Sequence, residues 1–146
     1  MENRYLAPGW FTRQVFNRAV RRLTRLGVSV AGSRELRVRG RSSGEWRSTP
    51  VNLLTLEGQQ YLVAPRGVSQ WVRNLRVAGT GELRVGRRTQ PFSVTELGDA
   101  DKTPVLREYV RRWGFEAGQF FEGVDARSDD VALARVAPGF PVFLLN

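Results

Sequence analysis

Residues 37–50 read Arg-Val-Arg-Gly-Arg-Ser-Ser-Gly-Glu-Trp-Arg-Ser-Thr-Pro, and the apolar run 51–56 follows them. The pattern predicts two strands joined by a Ser-Ser-Gly turn, with Arg37, Arg39, Arg41 and Arg47 gathered around it. Small residues let a ligand approach the backbone closely, free turn amides favour anions, and guanidinium forks match phosphate oxygens. A sheet corner of this composition suits a phosphate. The apolar strand beside it suits a flat ligand body lying along the sheet with an anionic tail outside.

Whatever chemistry occurs here does not come from the usual nucleophiles. The chain has no cysteine and no histidine. That excludes disulfides, thiolate nucleophiles, His-based acid–base pairs, catalytic triads and nearly all zinc or haem sites. An enzyme of this composition needs a cofactor to bring the reaction, so no side chain is expected to be catalytic in its own right. Asp125, Asp129 and Asp130 are the one acidic group that could suggest a metal, and their spacing reads instead as a solvated loop. No metal site is expected.

At 146 residues, 41% of them apolar and 25% charged, the chain reads as one folded domain spanning 1–146. It has no apolar run long enough to span a bilayer and no signal-peptide pattern at its N-terminus, so a cytoplasmic location is expected. Net charge is +9, and Lys102 is the only lysine among 23 basic residues. Such a balance reflects either arginine-rich coding or attraction to a polyanion: nucleic acid, anionic lipid or a phosphorylated cofactor.

The elements around the corner follow from periodicity. In residues 8–26, Phe11, Val15, Phe16, Ala19, Val20, Leu23 and Leu26 recur every three or four positions, with Arg13, Arg18, Arg21, Arg22 and Arg25 between them. This predicts a basic amphipathic helix after a loose arm, the whole segment covering 1–27 and stopping at Gly27. It either packs on the domain or lies on the inner face of an anionic plasma membrane, which Trp10 and Phe11 would suit.

Strands are expected at 35–41, 46–56 and 59–64, the last two joined by Glu57-Gly58 as a two-residue turn. Pro65 breaks the third, and Ser69 can cap a short helix over 70–77 that ends before Gly79. Further strands are expected at 81–86 and 90–97. Thr103-Pro104 then opens a helix running to Trp113. Residues 114–130 read as a lid-like loop or short helix, and strands close the chain at 131–136 and 141–145. Consecutive antiparallel strands with a few helices predict a mainly β, α+β architecture: a small barrel with helices outside.

The ordered set Gly40-Arg41-Ser42-Ser43-Gly44-x-x-Arg47-x-x-Pro50, a hairpin, Ala64-Pro65-Arg66-Gly67 and Trp71-x-x-Asn74-Leu75 resembles the deazaflavin-dependent nitroreductase family. These are split β-barrel oxidoreductases that use coenzyme F420. The resemblance covers roughly residues 35–97 and extends weakly to both ends; Ser42 stands where the family usually has lysine. It implies that Arg41, Ser42, Ser43 and Arg47 hold the phosphate and nearby tail, and that Pro50 and Val51 run along the ring. Ala64, Pro65, Arg66 and Gly67 would border ring and tail, while Trp71, Asn74 and Leu75 close the site. Tyr109, Trp113, Phe120 and Phe121 would wall the electron acceptor.

F420 is polyanionic with a flat ring, which agrees with arginines beside Val51, Leu53 and Tyr61. The implied activity is hydride transfer from reduced F420 to a small electron-poor acceptor: a quinone, a nitroaromatic or an enone. Three rival readings stand beside it. They are an FMN-dependent enzyme of the same barrel, a protein that only carries flavin or deazaflavin, and, more weakly, a nucleic-acid-binding barrel. A homodimer is compatible with all of them.

Overall fold

The computed structural model describes residues 33–117, 124 and 127–146. The arm and basic helix expected over 1–27 lie outside these residues, as do Phe120 and Phe121. Six strands, β1 (Ser33–Arg39), β2 (Trp46–Leu56), β3 (Gln59–Val63), β4 (Thr80–Val85), β5 (Arg88–Glu96) and β6 (Val142–Leu145), form a closed barrel in the order β1-β2-β3-β6-β5-β4. Every pairing is antiparallel. Three helices complete the described chain: α1 (Gln70–Ala78), α2 (Thr103–Ala117) and α3 (Asp130–Val136).

Period-two side-chain alternation explains why these strands close around a core. Leu53, Leu62 and Phe143 stand opposite one another on β2, β3 and β6 and point inward. Leu36 and Val38 of β1, Leu83 of β4 and Phe92 of β5 join them, so each strand supplies the interior. The alternate residues Leu54, Val63 and Val142 face outward and pack under α2 and α3, with Val105, Leu106, Tyr109, Val110 and Trp113 covering them. The barrel therefore has a filled interior and a second apolar layer on one outer side.

The predicted hairpins form. Leu56 pairs with Gln59 around Glu57 and Gly58, both of positive φ (52° and 79°), as a two-residue hairpin needs. The helix expected to end before Gly79 does so: Gly79 adopts φ 71°, and its amide donates to the Leu75 carbonyl at 2.8 Å. Trp113, expected to be the last helical residue, instead marks a kink (φ −126°, ψ 19°), beyond which α2 continues to Ala117.

One expected strand is a helix. Residues 131–136 alternate Val, Ala, Leu, Ala, Arg, Val and so mimic a strand, yet they form α3. Asp129 decides it locally, accepting a hydrogen bond from the Ala132 amide at 2.9 Å as an N-cap. Packing agrees, since Leu133 is fully buried whereas Val131, two residues earlier, is 71% exposed. Asp130 meanwhile pairs with Arg107 at 2.7 Å. Asp129 and Asp130 are thus engaged in capping and pairing.

Lys102 is buried, and its ammonium bonds Asp99 Oδ1 at 2.8 Å and the Ala137 carbonyl at 3.1 Å. It joins the short 3₁₀ turns Asp99–Asp101 and Ala137–Gly139, which frame the start of α2 and the end of α3. A compact ammonium with three donors fits this position, whereas a planar guanidinium does not. Lys102→Met is expected to lower stability by about 1–3 kcal/mol by removing the buried ammonium's bonds to Asp99 and to the Ala137 carbonyl, which keeps only its bond from the Phe140 amide. Lys102→Arg is expected to fail to restore it. Urea unfolding checks both, and full rescue by arginine would contradict this account.

Candidate cofactor cleft

The β1–β2 connection is built tightly. The Gly40 amide donates to the Glu45 carbonyl at 2.8 Å, and the Gly44 amide donates to the Gly40 carbonyl at 2.9 Å. Ser43 Oγ accepts from the Glu45 amide at 3.1 Å. A Cβ on Gly40 would lie 2.9 Å from Ser43 Oγ and 3.4 Å from the Glu45 carbonyl, so a larger residue there would displace the Ser43 hydroxyl from its bond with the Glu45 amide.

Across from this turn stands α1. Val72 and Leu75 are fully buried in the barrel interior, which fixes the inner face of the helix. Its far end is held by a two-pronged bond from Arg76 to Glu96 on β5 (2.8 and 2.7 Å), which also raises the Arg76 pKa. Asn74 ties helix to turn: its Oδ1 accepts from both the Arg41 amide (3.1 Å) and the Arg41 guanidinium (2.8 Å).

Between turn and helix lies a cleft of about 470 Å³, within the usual range for a small-molecule site. Leu36 and Val38 contribute its apolar lining, together with Trp71, whose ring lies 6.0 Å from that of Phe143 inside the barrel. Arg41, Ser42, Ser43 and Arg47 line the turn side, Ser48 and Thr49 extend it along β2, and Ser69, Gln70 and Asn74 line the helix side. Two arginines and several hydroxyls border the cleft, and no carboxylate is among its described lining residues. The arrangement suits an oxygen-rich anion attached to a flat apolar body.

The four arginines of the corner divide into two groups. Arg37 and Arg39 lie over the Trp46 ring, 5.0 and 4.4 Å from its centroid. Arg37 also pairs with Glu82 at 3.3 Å, and Arg39 donates to the Gly44 carbonyl at 2.9 Å. Arg41 reaches Asn74, while Arg47 has no carboxylate partner among the described residues.

Of the residues expected at the site, Arg41, Ser42, Ser43, Arg47, Trp71 and Asn74 meet around the cleft. Pro50 is half-buried on β2 beside Thr49, and Val51 packs toward the barrel interior. Ala64 and Leu75 are core residues, 1% and 0% exposed. Pro65, Arg66 and Gly67 form the bend leading to α1, in which the Gly67 amide donates to the Ala64 carbonyl at 3.1 Å.

Tyr109 and Trp113, expected to wall the acceptor, are not among the residues that line the cleft. They are 4% and 1% exposed, meet as tilted rings with centroids 4.9 Å apart, and lie under α2 in the outer apolar layer rather than on the cleft. Helical spacing brings them to one face, and that face is needed to cover Leu54 and Val63. Sequence reasoning in turn missed Leu36, Val38, Ser48, Thr49 and Gln70 as lining residues, and treated Ser69 only as a helix cap. Alternation along β1 and β2 carried a signal for the strand residues; no spacing rule carried one for Ser69.

Comparison with known proteins finds the same fold elsewhere. An F420-H2 dependent reductase (FDR-A) superposes with a TM-score of 0.57 at 18% identity, over 79% of this chain and 94% of that one. A structure described as a domain-swapped dimer gives 0.58 at 18% identity, over 92% and 98%. A heme binding protein from Mycobacterium smegmatis gives 0.54 at 12% identity, over 96% of this chain and 52% of its own. At these identities the likeness shows the shared fold. No curated protein sequence matches the chain. Residues 11–125 match the family described as F420H(2)-dependent quinone reductase. With that match spanning most of its length, the chain belongs to the F420H2-dependent quinone reductase family, and it is an F420H2-dependent oxidoreductase.

Proposed function

We propose that F420 occupies the cleft between the β1–β2 turn and α1, and that the physiological acceptor is a quinone. The observation that carries this reading is the pairing of an anion-suited turn with an apolar floor: Arg41, Ser42, Ser43 and Arg47 on one side, Leu36, Val38 and Trp71 beneath. Arg47 would meet the phosphate, and Ser42 and Ser43 would supply hydroxyls beside it. Arg41 would act partly through Asn74, because its two hydrogen bonds to Asn74 Oδ1 set the distance between turn and helix. Ser48, Thr49 and Pro50 would border the ring along β2, with Trp71 packing against it from α1.

When bound, reduced F420 supplies the hydride. The chain's part is to hold ring and acceptor together, exclude water with its apolar floor, and meet developing negative charge with guanidinium and hydroxyl groups. Among the described residues that line the cleft, none is an acid, and the chain has no histidine or cysteine. The proton that completes quinone reduction is therefore assigned to solvent.

Reduced F420 mixed anaerobically with the protein and menadione is expected to be oxidised in proportion to added quinone. Tight binding without quinone-dependent oxidation would leave the protein a carrier. Equal competition by FMN would remove the preference for deazaflavin.

Two further parts of the reading concern assembly. No helix among the described residues is long and apolar enough to cross a membrane. The basic segment 8–26 supports a peripheral contact with anionic lipid, checked by co-sedimentation with anionic vesicles and its loss on removing 1–27. The neighbour described as a domain-swapped dimer supports a homodimer here, checked by light scattering.

A further inference from the structure

We propose that Ser69 is a positioning residue of the cleft, its hydroxyl donating a hydrogen bond to an oxygen of the bound deazaflavin cofactor. The inference rests on the placement of F420 argued above and assigns that site a contact on its helix side.

Ser69 has the backbone angles of an N-cap, φ −90° and ψ 179°. A serine there ordinarily turns its hydroxyl onto an amide of the first helical turn. Ser69 does not: no cap bond is made, and Oγ is buried with no hydrogen-bond partner. Among the described residues it is the one buried side-chain oxygen or nitrogen in that condition. An unmet hydroxyl away from water is costly, and proteins keep few of them.

Ser69 is also part of the cleft wall and only half-buried as a residue. One χ1 step between staggered rotamers can turn the hydroxyl from its unpartnered position toward the cleft. A ligand there would provide the bond that the Ser69 hydroxyl lacks.

The surroundings decide what kind of atom it meets. The first amides of α1 have no carbonyl of their own helix to bond, and its first turn contains no acidic residue. Arg41 and Arg47 stand on the opposite wall. A hydroxyl between a helix N-terminus and two guanidinium groups is oriented to donate, so its partner is an acceptor oxygen with partial or full negative charge. Ring carbonyls and phosphate oxygens share that chemistry.

The test measures affinity and stability separately on Ser69→Ala, Ser69→Thr and Arg47→Ala. Ser69→Ala is expected to weaken F420 binding about five- to tenfold by fluorescence titration, while the Tm of the ligand-free protein stays the same or rises. Ser69→Thr, which keeps a hydroxyl, is expected to retain most of the affinity. A deazaflavin lacking the phosphate tail separates the sources: an equal loss on both ligands assigns a ring carbonyl, and a loss on F420 alone assigns the phosphate.

F420 affinity within twofold of wild type in Ser69→Ala would overturn the proposal. So would a fall in the ligand-free Tm, which would show the hydroxyl to be capping α1 after all. If Ser69→Ala binds normally while Arg47→Ala does not, only the Ser69 assignment fails. If the wild type does not bind F420, the placement of the cofactor fails with it.

Discussion

Arg47→Ala is expected to weaken F420 binding by about 1–3 kcal/mol, the range for charge-assisted bonds to phosphate. Its thermal stability should change little. The reason lies in the division of the corner arginines. Arg37 and Arg39 are committed to Trp46, Glu82 and the Gly44 carbonyl. Arg41 braces the turn through Asn74. Arg47 borders the cleft with no carboxylate partner among the described residues, so its guanidinium is available to a ligand. Arg41→Ala should differ in kind, losing affinity and stability together as turn and helix come apart. Fluorescence titration beside denaturant unfolding separates the two effects. Unchanged affinity in both variants would place the phosphate elsewhere.

Trp113→Ala is expected to produce the largest loss of stability, about 3–5 kcal/mol, by opening a cavity beneath α2. Trp113 is 1% exposed, meets Tyr109 as a tilted ring pair, and sits where α2 kinks, in one buried cluster with Leu106, Val110, Ala137 and Phe140. The residues that line the cleft include none of this cluster, so the folded fraction should keep its F420 affinity. Guanidinium unfolding gives the first quantity and titration below the transition gives the second. A variant as stable as wild type but slow toward quinone would return Trp113 to the acceptor side.

These two residues show where reasoning along the chain succeeds and where it stops. Arg47 was legible because turn chemistry is local: a Ser-Ser-Gly turn, flanking strands and a guanidinium three residues past Gly44 keep their relation whatever surrounds them. Trp113 was not. Its spacing with Tyr109 and Val110 defines one apolar face, but periodicity does not say whether that face meets a ligand or a barrel wall. Residues 131–136 erred for a related reason. Their alternation is compatible with a strand until Asp129 caps the segment and Leu133 finds a buried place.

Composition alone removed histidine and cysteine chemistry, and the ordered motifs of residues 40–75 pointed to the family while leaving F420 and FMN both open as its cofactor. Strand alternation and hairpin turns determined a closed antiparallel barrel, because both depend on backbone geometry within a few residues. Only the tertiary structure decided that Asn74 latches Arg41, that Leu36 and Val38 form part of the cleft, and that Ser69 is left without a partner beside it. Each of these depends on α1 settling over one end of the barrel, a distance between segments about thirty residues apart that no local periodicity encodes.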